Sequence, residues 1–220
     1  MNTLTSPPLA ALLTALMAEA DVTQAQMRRE MSGISPEERA VMMRTTKGYR
    51  ELYGRMKHYH LAVSAETGRL LYMIARAARA HAIVEFGTSF GVSTLHLAAA
   101  LRDNGGGRLI GSEFEPGKVA QARKNLEAAG LADLVEIREG DALETLARDL
   151  PESIDLVLLD GAKGLYPHVL ALLESRLKVG ALLVADNADW SPEYLAKVRS
   201  PEGGYLSVPF GGDVEVSTRC

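Results

Sequence analysis

The sequence predicts an α/β protein: a doubly wound, mostly parallel sheet that ends in an antiparallel hairpin and follows a set of N-terminal helices. Three observations predict it. From residue 82 onward, short apolar runs alternate regularly with helical patterns. Before that point the chain carries helical periodicity and no strand signal. Near the end, GYLSVPF and DVEVSTR flank Gly211–Gly212, as the arms of a hairpin flank its turn.

The elements follow in order. Ser6, Pro7 and Pro8 read as a helix start, because proline is favoured in the first turn. Leu9, Leu12, Leu13, Leu16 and Met17 then share one helical face. Ser32–Gly33 and Ser35–Pro36 read as a turn and the entry to another helix. Ser64 is placed to cap SAETGRLLYMIARAARA, which leads into strand AIVEF. Helix VSTLHLAAAL, strand RLIGSE, helix GKVAQARKNLEAAG, strand LVEIRE and helix DALETLARDL come next. Strand IDLVLLD, helix LYPHVLALLESRL, strand ALLVAD and the short helix SPEYLAKVR complete the alternation. The chain thus divides into a helical extension over residues 1–60, expected to be a cap or a dimer arm, and a sheet domain over 61–220.

The bulk numbers narrow the function classes. A chain of 220 residues that is 47% hydrophobic can bury a substantial core. A formal net charge of −4 disfavours a general nucleic-acid binder. The one cysteine, Cys220, leaves no internal disulfide to require an oxidising compartment. The N-terminal apolar stretch lacks a basic leader and is too interrupted to span a bilayer, so a cytoplasmic location is expected.

Two strand ends carry the chemistry. IDLVLLD closes on Asp160, and ALLVADN closes on Asp186 and Asn187. In an open α/β sheet, ligands bind outside the carboxyl ends of the strands. Two carboxylates and a carboxamide there would offer hard oxygens to Mg²⁺ or a similar divalent cation. Lys163, three residues after Asp160, is a candidate base. The plainer alternatives are a helix cap for Asp160, a turn at Asp186–Asn187 and a solvated lysine. Apart from His58-x-His60 the five histidines show no metal-ligand clustering, and they read as structural or surface residues.

The first strand runs into Glu85-Phe86-Gly87-Thr88-Ser89-Phe90-Gly91-Val92-Ser93. A dinucleotide fingerprint would need G-x-G-x-x-G, whose middle glycine admits a pyrophosphate. Here the glycines are four apart and an acid precedes them, which suits a ligand without a pyrophosphate. Glu113 ends the second strand, where an acid can accept two ribose hydroxyls. Gly140-Asp141-Ala142 follows the third strand, and Asp141 is also a plausible N-cap.

Taken together, SAETGRLL, VEFGTSFGVS, Glu113, EGDALETL, LLDGAKGLY and VADN occur in the order and spacing of a known family. From about Ser64 to Asn187 the chain resembles the cation-dependent O-methyltransferases of the catechol and caffeoyl-CoA type. The resemblance implies a Rossmann-like fold and S-adenosylmethionine as cofactor. It implies that Asp160, Asp186 and Asn187 ligate the cation and that Lys163 is the base. Glu85, Gly87, Ser93 and Glu113 would hold the cofactor, with Val63, Ser89, Asp141, Ala142 and Asp160 as further contacts. It also implies a small phenolic acceptor and a homodimer; the charge and the interrupted N-terminal stretch lead us to expect no nucleic-acid or membrane partner.

The chain departs from the family after Asn187, where the usual longer insertion is absent. Residues 39–60 hold Arg39, Arg44, Lys47, Arg50, Arg55 and Lys57 against Glu51, with three tyrosines interleaved. That stretch is either a solvated or dimer-contacting face, or a cap that attracts an anionic acceptor. Two other functions stay open: a tRNA-modifying methyltransferase on the same scaffold, and a non-catalytic cofactor-binding or interaction module.

Overall fold

The computed structural model describes residues 2–220. Four helices precede the sheet: α1 (Leu9–Glu30), α2 (Pro36–Arg44), α3 (Tyr49–Arg55) and α4 (Ala65–Ala77). Helix α1 buries Leu9, Leu13, Leu16 and Ala20, a stripe at helical spacing. Its start differs in detail from the expectation. Pro8 occupies the N-cap position and Ser6 contributes only its carbonyl, which accepts from Ala10 N at 3.1 Å. Helix α2 opens with a full capping box, Ser35 and Glu38 each bonding the other's backbone amide. Ser64 caps α4 as expected, its hydroxyl accepting from Thr67 N at 3.0 Å. Among the described residues, no helix is long and apolar enough to cross a membrane.

The strands are β1 (Ala82–Phe86), β2 (Arg108–Glu113), β3 (Val135–Glu139), β4 (Ile154–Leu159), β5 (Leu177–Ala185), β6 (Tyr205–Phe210) and β7 (Val214–Arg219). They form one sheet in the order β3-β2-β1-β4-β5-β7-β6. The first five strands are parallel, and β7 runs antiparallel to both β5 and β6. Between them lie α5 (Val92–Asp103), α6 (Pro116–Ala128), α7 (Ala142–Thr145), α8 (Tyr166–Leu173) and α9 (Pro192–Arg199). Both faces of the central strands are covered. In β4, Leu156 and Leu158 join the core under α1, α4, α5 and α6, whereas Val157 and Leu159 join the core under α8 and α9.

Two elements differ from the pattern read in the sequence. DALETLARDL forms only the single turn α7. The Arg138 guanidinium donates to the carbonyls of Thr145, Arg148 and Asp149, at 2.7, 2.6 and 2.9 Å. Those side-chain bonds, with Asp149 at φ +50°, satisfy the backbone in a non-helical path. Strand β5 begins at Leu177, inside the stretch that reads as the end of a helix. Its first part bulges: Ile154 pairs with Leu177, yet Leu156 pairs with Leu182. Gly180 in this bulge has φ +84°, Lys178 interrupts the apolar pattern, and Val179 is exposed.

Candidate active site

The chain winds outward in opposite directions from β1 and β4, so the sheet's crevice lies at their carboxyl ends. Gly87 and Asp160 meet there. Asp160 N donates to Phe86 O at 2.8 Å. Gly87 has φ +98°, and a Cβ on it would lie 2.6 Å from the Asp160 carbonyl carbon. Only glycine fits both that conformation and that approach.

The crevice opens into a cleft of about 620 Å³, part of it solvent, lined by Gly87, Ser89, Glu113, Asp141, Ala142 and Asp160 among others. Backbone donors fix Glu113: Ser89 N at 2.8 Å and Glu115 N at 3.0 Å. Asp141 caps α7 through Leu143 N at 2.9 Å. Its second oxygen accepts from Tyr49 Oη and Arg50 Nη2. Burial pulls the Asp141 carboxyl up, but these donors outweigh it and hold the group below its usual range. Helix α3 therefore lies along the cleft, with Tyr49 and Tyr53 in its lining.

Deeper in, four groups form a chain of hydrogen bonds. Lys163 Nζ donates to Asp160 Oδ1 at 2.9 Å and to Tyr166 Oη at 2.9 Å. Tyr166 Oη donates to the Asp186 carbonyl at 2.7 Å. Lys163 and Tyr166 are buried, at 4% and 0% exposure. Burial pulls the Lys163 ammonium down, yet Asp160, Tyr166, Asp186 and Tyr53 together hold it well above the usual lysine value. Asp186 is pushed up to about 7, first by burial and then by the neighbouring Asp160 carboxylate. Asn187 stands in the left-handed region at φ +48°. Its Nδ2 donates to Asp213 Oδ2 at 3.0 Å, and Ala188 N donates to Asp213 O at 2.7 Å. The turn between β6 and β7 thus positions the carboxamide.

Residues 84–188 match the family model described as a methyltransferase domain. That match spans just under half of the chain. A catechol O-methyltransferase of Niastella koreensis is 36% identical over 130 residues, 58% of either chain. The match therefore spans less than two thirds of that relative's length. Caffeoyl-CoA O-methyltransferase 2 of Petunia hybrida is 28% identical over 165 residues, 73% of this chain and 67% of the relative. Among solved structures, the O-methyltransferase TomG of Streptomyces achromogenes, in complex with SAM, superposes with a TM-score of 0.64 at 24% identity. That superposition covers 93% of this chain and 98% of TomG.

The sequence-derived residues divide by position. Gly87, Ser89, Glu113, Asp141, Ala142 and Asp160 line the cleft, and Lys163 and Asp186 lie directly behind Asp160. Val63 sits in the hydrophobic core at 2% exposure. Glu85 is fully enclosed and accepts hydroxyls from Ser93, Thr94 and Thr88, at 2.7, 2.6 and 2.9 Å. Burial pushes its carboxyl up to about 7 despite those donors. Glu85 and Ser93 therefore brace the glycine loop from below.

Two lining features escape sequence reasoning. Tyr49 and Arg50 belong to the stretch read either as a solvated or dimer-contacting face or as a cap, and both bond Asp141 at the cleft. Lys118 reads as one charge in a charged helix, yet it is buried at 5% exposure. A signal for it exists: Lys118, Ala122 and Asn125 share the inward stripe of α6.

Among the described residues, no three His, Cys, Asp or Glu side chains cluster as metal ligands. A cation held at Asp160 and Asp186 would take its third protein donor from the Asn187 amide. The donor set fits one. The Asp160 carboxylate adds to the burial that raises Asp186, and the Lys163 ammonium pairs with Asp160. The Asn187 nitrogen is committed to Asp213, which leaves its oxygen as the ligating end.

Proposed function

We propose that the chain is an S-adenosylmethionine-dependent, divalent-cation-dependent O-methyltransferase that acts on a small ortho-dihydroxy aromatic acceptor. The observation that carries this reading is Asp160, which lines the cleft with one face and binds Lys163 with the other. A cofactor bed and a proton-handling group thereby share one side chain. The names of the catechol and caffeoyl-CoA relatives and the SAM complex of TomG support the same cofactor and acceptor class.

The roles follow from the residues. Glu113 presents carboxylate oxygens, already oriented by two backbone amides, to the ribose hydroxyls. Gly87, Ser89, Asp141 and Ala142 shape the bed around the rest of the nucleoside. The acidic lining also favours a sulfonium cation over its neutral product. Tyr49, Tyr53, Phe86 and Leu165 provide apolar and aromatic walls at the cleft. Asp160, Asp186 and Asn187 would hold the cation, Mg²⁺ by the hardness of their oxygens. When bound, it supplies Lewis-acid stabilisation of an ionised acceptor hydroxyl.

Lys163 handles the proton. As described, its neighbours keep it an ammonium. Once the two carboxylates are neutralised, burial, the largest influence on it, favours the free amine. Nζ then accepts the acceptor's hydroxyl proton. The acceptor oxygen forms a bond to the methyl carbon, the sulfur–methyl bond breaks, and its electron pair stays on sulfur as the thioether.

Asp160→Ala tests the reading. It should abolish methyl transfer to a catechol while S-adenosylhomocysteine binding stays measurable by calorimetry. Retained turnover in that variant would refute the proposed site.

A further inference from the structure

Lys118 is a buried cation that the proposed chemistry leaves unused. It lies at 5% exposure in the first turn of α6 and lines the cleft. Its Nζ makes a single hydrogen bond, to Ser89 Oγ at 3.3 Å, and among the described residues it joins no ion pair. The neighbouring acids are engaged elsewhere. Both Glu113 oxygens accept backbone amides, and Glu115 Oε2 accepts Lys118's own backbone N–H at 3.0 Å. The Phe90 ring stands beside the ammonium, 5.4 Å from Nζ to its centroid, and the His60 ring stacks on Phe90 at 3.9 Å. The two rings line a smaller pocket that shares Ser89 and Leu61 with the cleft.

An ammonium has three donors and no acceptor. Burying one with a single long hydrogen bond is unfavourable unless a ligand completes it. Burial indeed pulls this lysine below its usual value, against the pull of Glu113, Glu115 and Asp160. Charge identifies the ligand group. The charged residues lining the cleft are Glu113, Glu115, Asp141 and Asp160, with Lys118 as the one base. S-adenosylmethionine carries a sulfonium, an ammonium and one anionic group, its α-carboxylate. Asp141 and Asp160 already pair with Arg50 and Lys163, which leaves Glu113 and Glu115 for the cofactor's hydroxyls and cations and Lys118 for its one anion.

We infer that Lys118 is a cofactor-positioning residue: its ammonium, held between Ser89 and the Phe90 ring, pairs with the α-carboxylate of the cofactor's amino-acid arm. This rests on the proposed S-adenosylmethionine reading. The pairing gives the cleft a means to distinguish the whole cofactor from its nucleoside part. A charge-assisted hydrogen bond in a cleft of this kind is worth about tenfold to a hundredfold in affinity.

The test compares two ligands by calorimetry, S-adenosylhomocysteine and 5′-deoxy-5′-methylthioadenosine, which lacks the amino-acid arm. Lys118→Met should weaken S-adenosylhomocysteine about tenfold or more and leave methylthioadenosine within about twofold. Equal loss for both ligands, or no loss for either, overturns the assignment. If Lys118→Met does not fold, Lys118→Gln carries the same comparison. A readout on the unaltered protein stands beside it: decarboxylated S-adenosylhomocysteine should bind more weakly than the parent by a similar factor, and equal affinity overturns the assignment. Failure of the unaltered protein to bind S-adenosylhomocysteine at all would instead overturn the methyltransferase reading, so the two failures are distinguishable.

Discussion

At the scale of single residues, Lys163 and Glu85 are both buried ionisable groups, and they serve different ends. Lys163 touches the reacting end of the cleft through Asp160. Lys163→Met should lower turnover by about 100-fold to 10,000-fold, the range for a lost general base, with S-adenosylhomocysteine affinity unchanged in calorimetry. A variant with full turnover would remove Lys163 as the base. Glu85 is structural, and its effect appears in stability. Its carboxyl is raised from the usual 4.5 to about 7 by burial, so between those values the folded chain holds a proton that the unfolded chain has released. This contribution is complete below pH 4.5 and is lost as pH rises toward about 7. Chemical denaturation across that window should therefore show the native protein losing stability relative to Glu85→Gln, whose amide does not titrate. Parallel pH profiles for the two proteins would contradict the assignment.

At the scale of elements, the segment before the sheet decides the shape of the site. Gly164 follows Lys163 directly, and a Cβ there would lie 2.5 Å from Arg44 O and 2.6 Å from Thr45 O. The end of α2 thus rests on the Lys163 loop, and α3 follows it along the cleft. Gly164→Ala should lift this contact and destabilise the fold by about 1–3 kcal/mol, the range for overpacking. Hydrogen exchange should rise over residues 44–53 in that variant, while exchange in β4 and β5 stays as before. Uniform protection would show that the contact is not what seats the segment. This arrangement was only half legible in the sequence. The helices, Ser35–Pro36 and Ser64 caps included, follow from local rules. The docking of Tyr49 and Arg50 on Asp141 links positions about 90 residues apart, and no periodicity encodes such a pairing.

At the scale of the whole molecule, the parallel sheet was readable because both its faces are covered, which leaves near-continuous apolar runs in β1, β4 and the end of β5. Gly87, Asp160 and Asp186 were readable for a related reason: polar residues and glycine at the ends of such runs stand out. Lys118 did not stand out, because a lysine within a charged helix looks solvated until the fold turns its face inward. The short α7 was hidden by Arg138, whose side chain takes the carbonyls from outside the segment. The strand order then brings the glycine loop, Glu113 and the Asp160–Lys163–Asp186 group to one crevice, and the central claim is that this crevice joins a sulfonium donor to an ionised hydroxyl. Transfer of a labelled methyl group from S-adenosylmethionine to catechol, measured with Mg²⁺, with excess EDTA, and with Mg²⁺ restored, tests that claim most directly. Labelled methyl ether should form with Mg²⁺, disappear in EDTA and return when the cation is restored; product formation indifferent to EDTA, or none under any of the three conditions, would overturn the assignment.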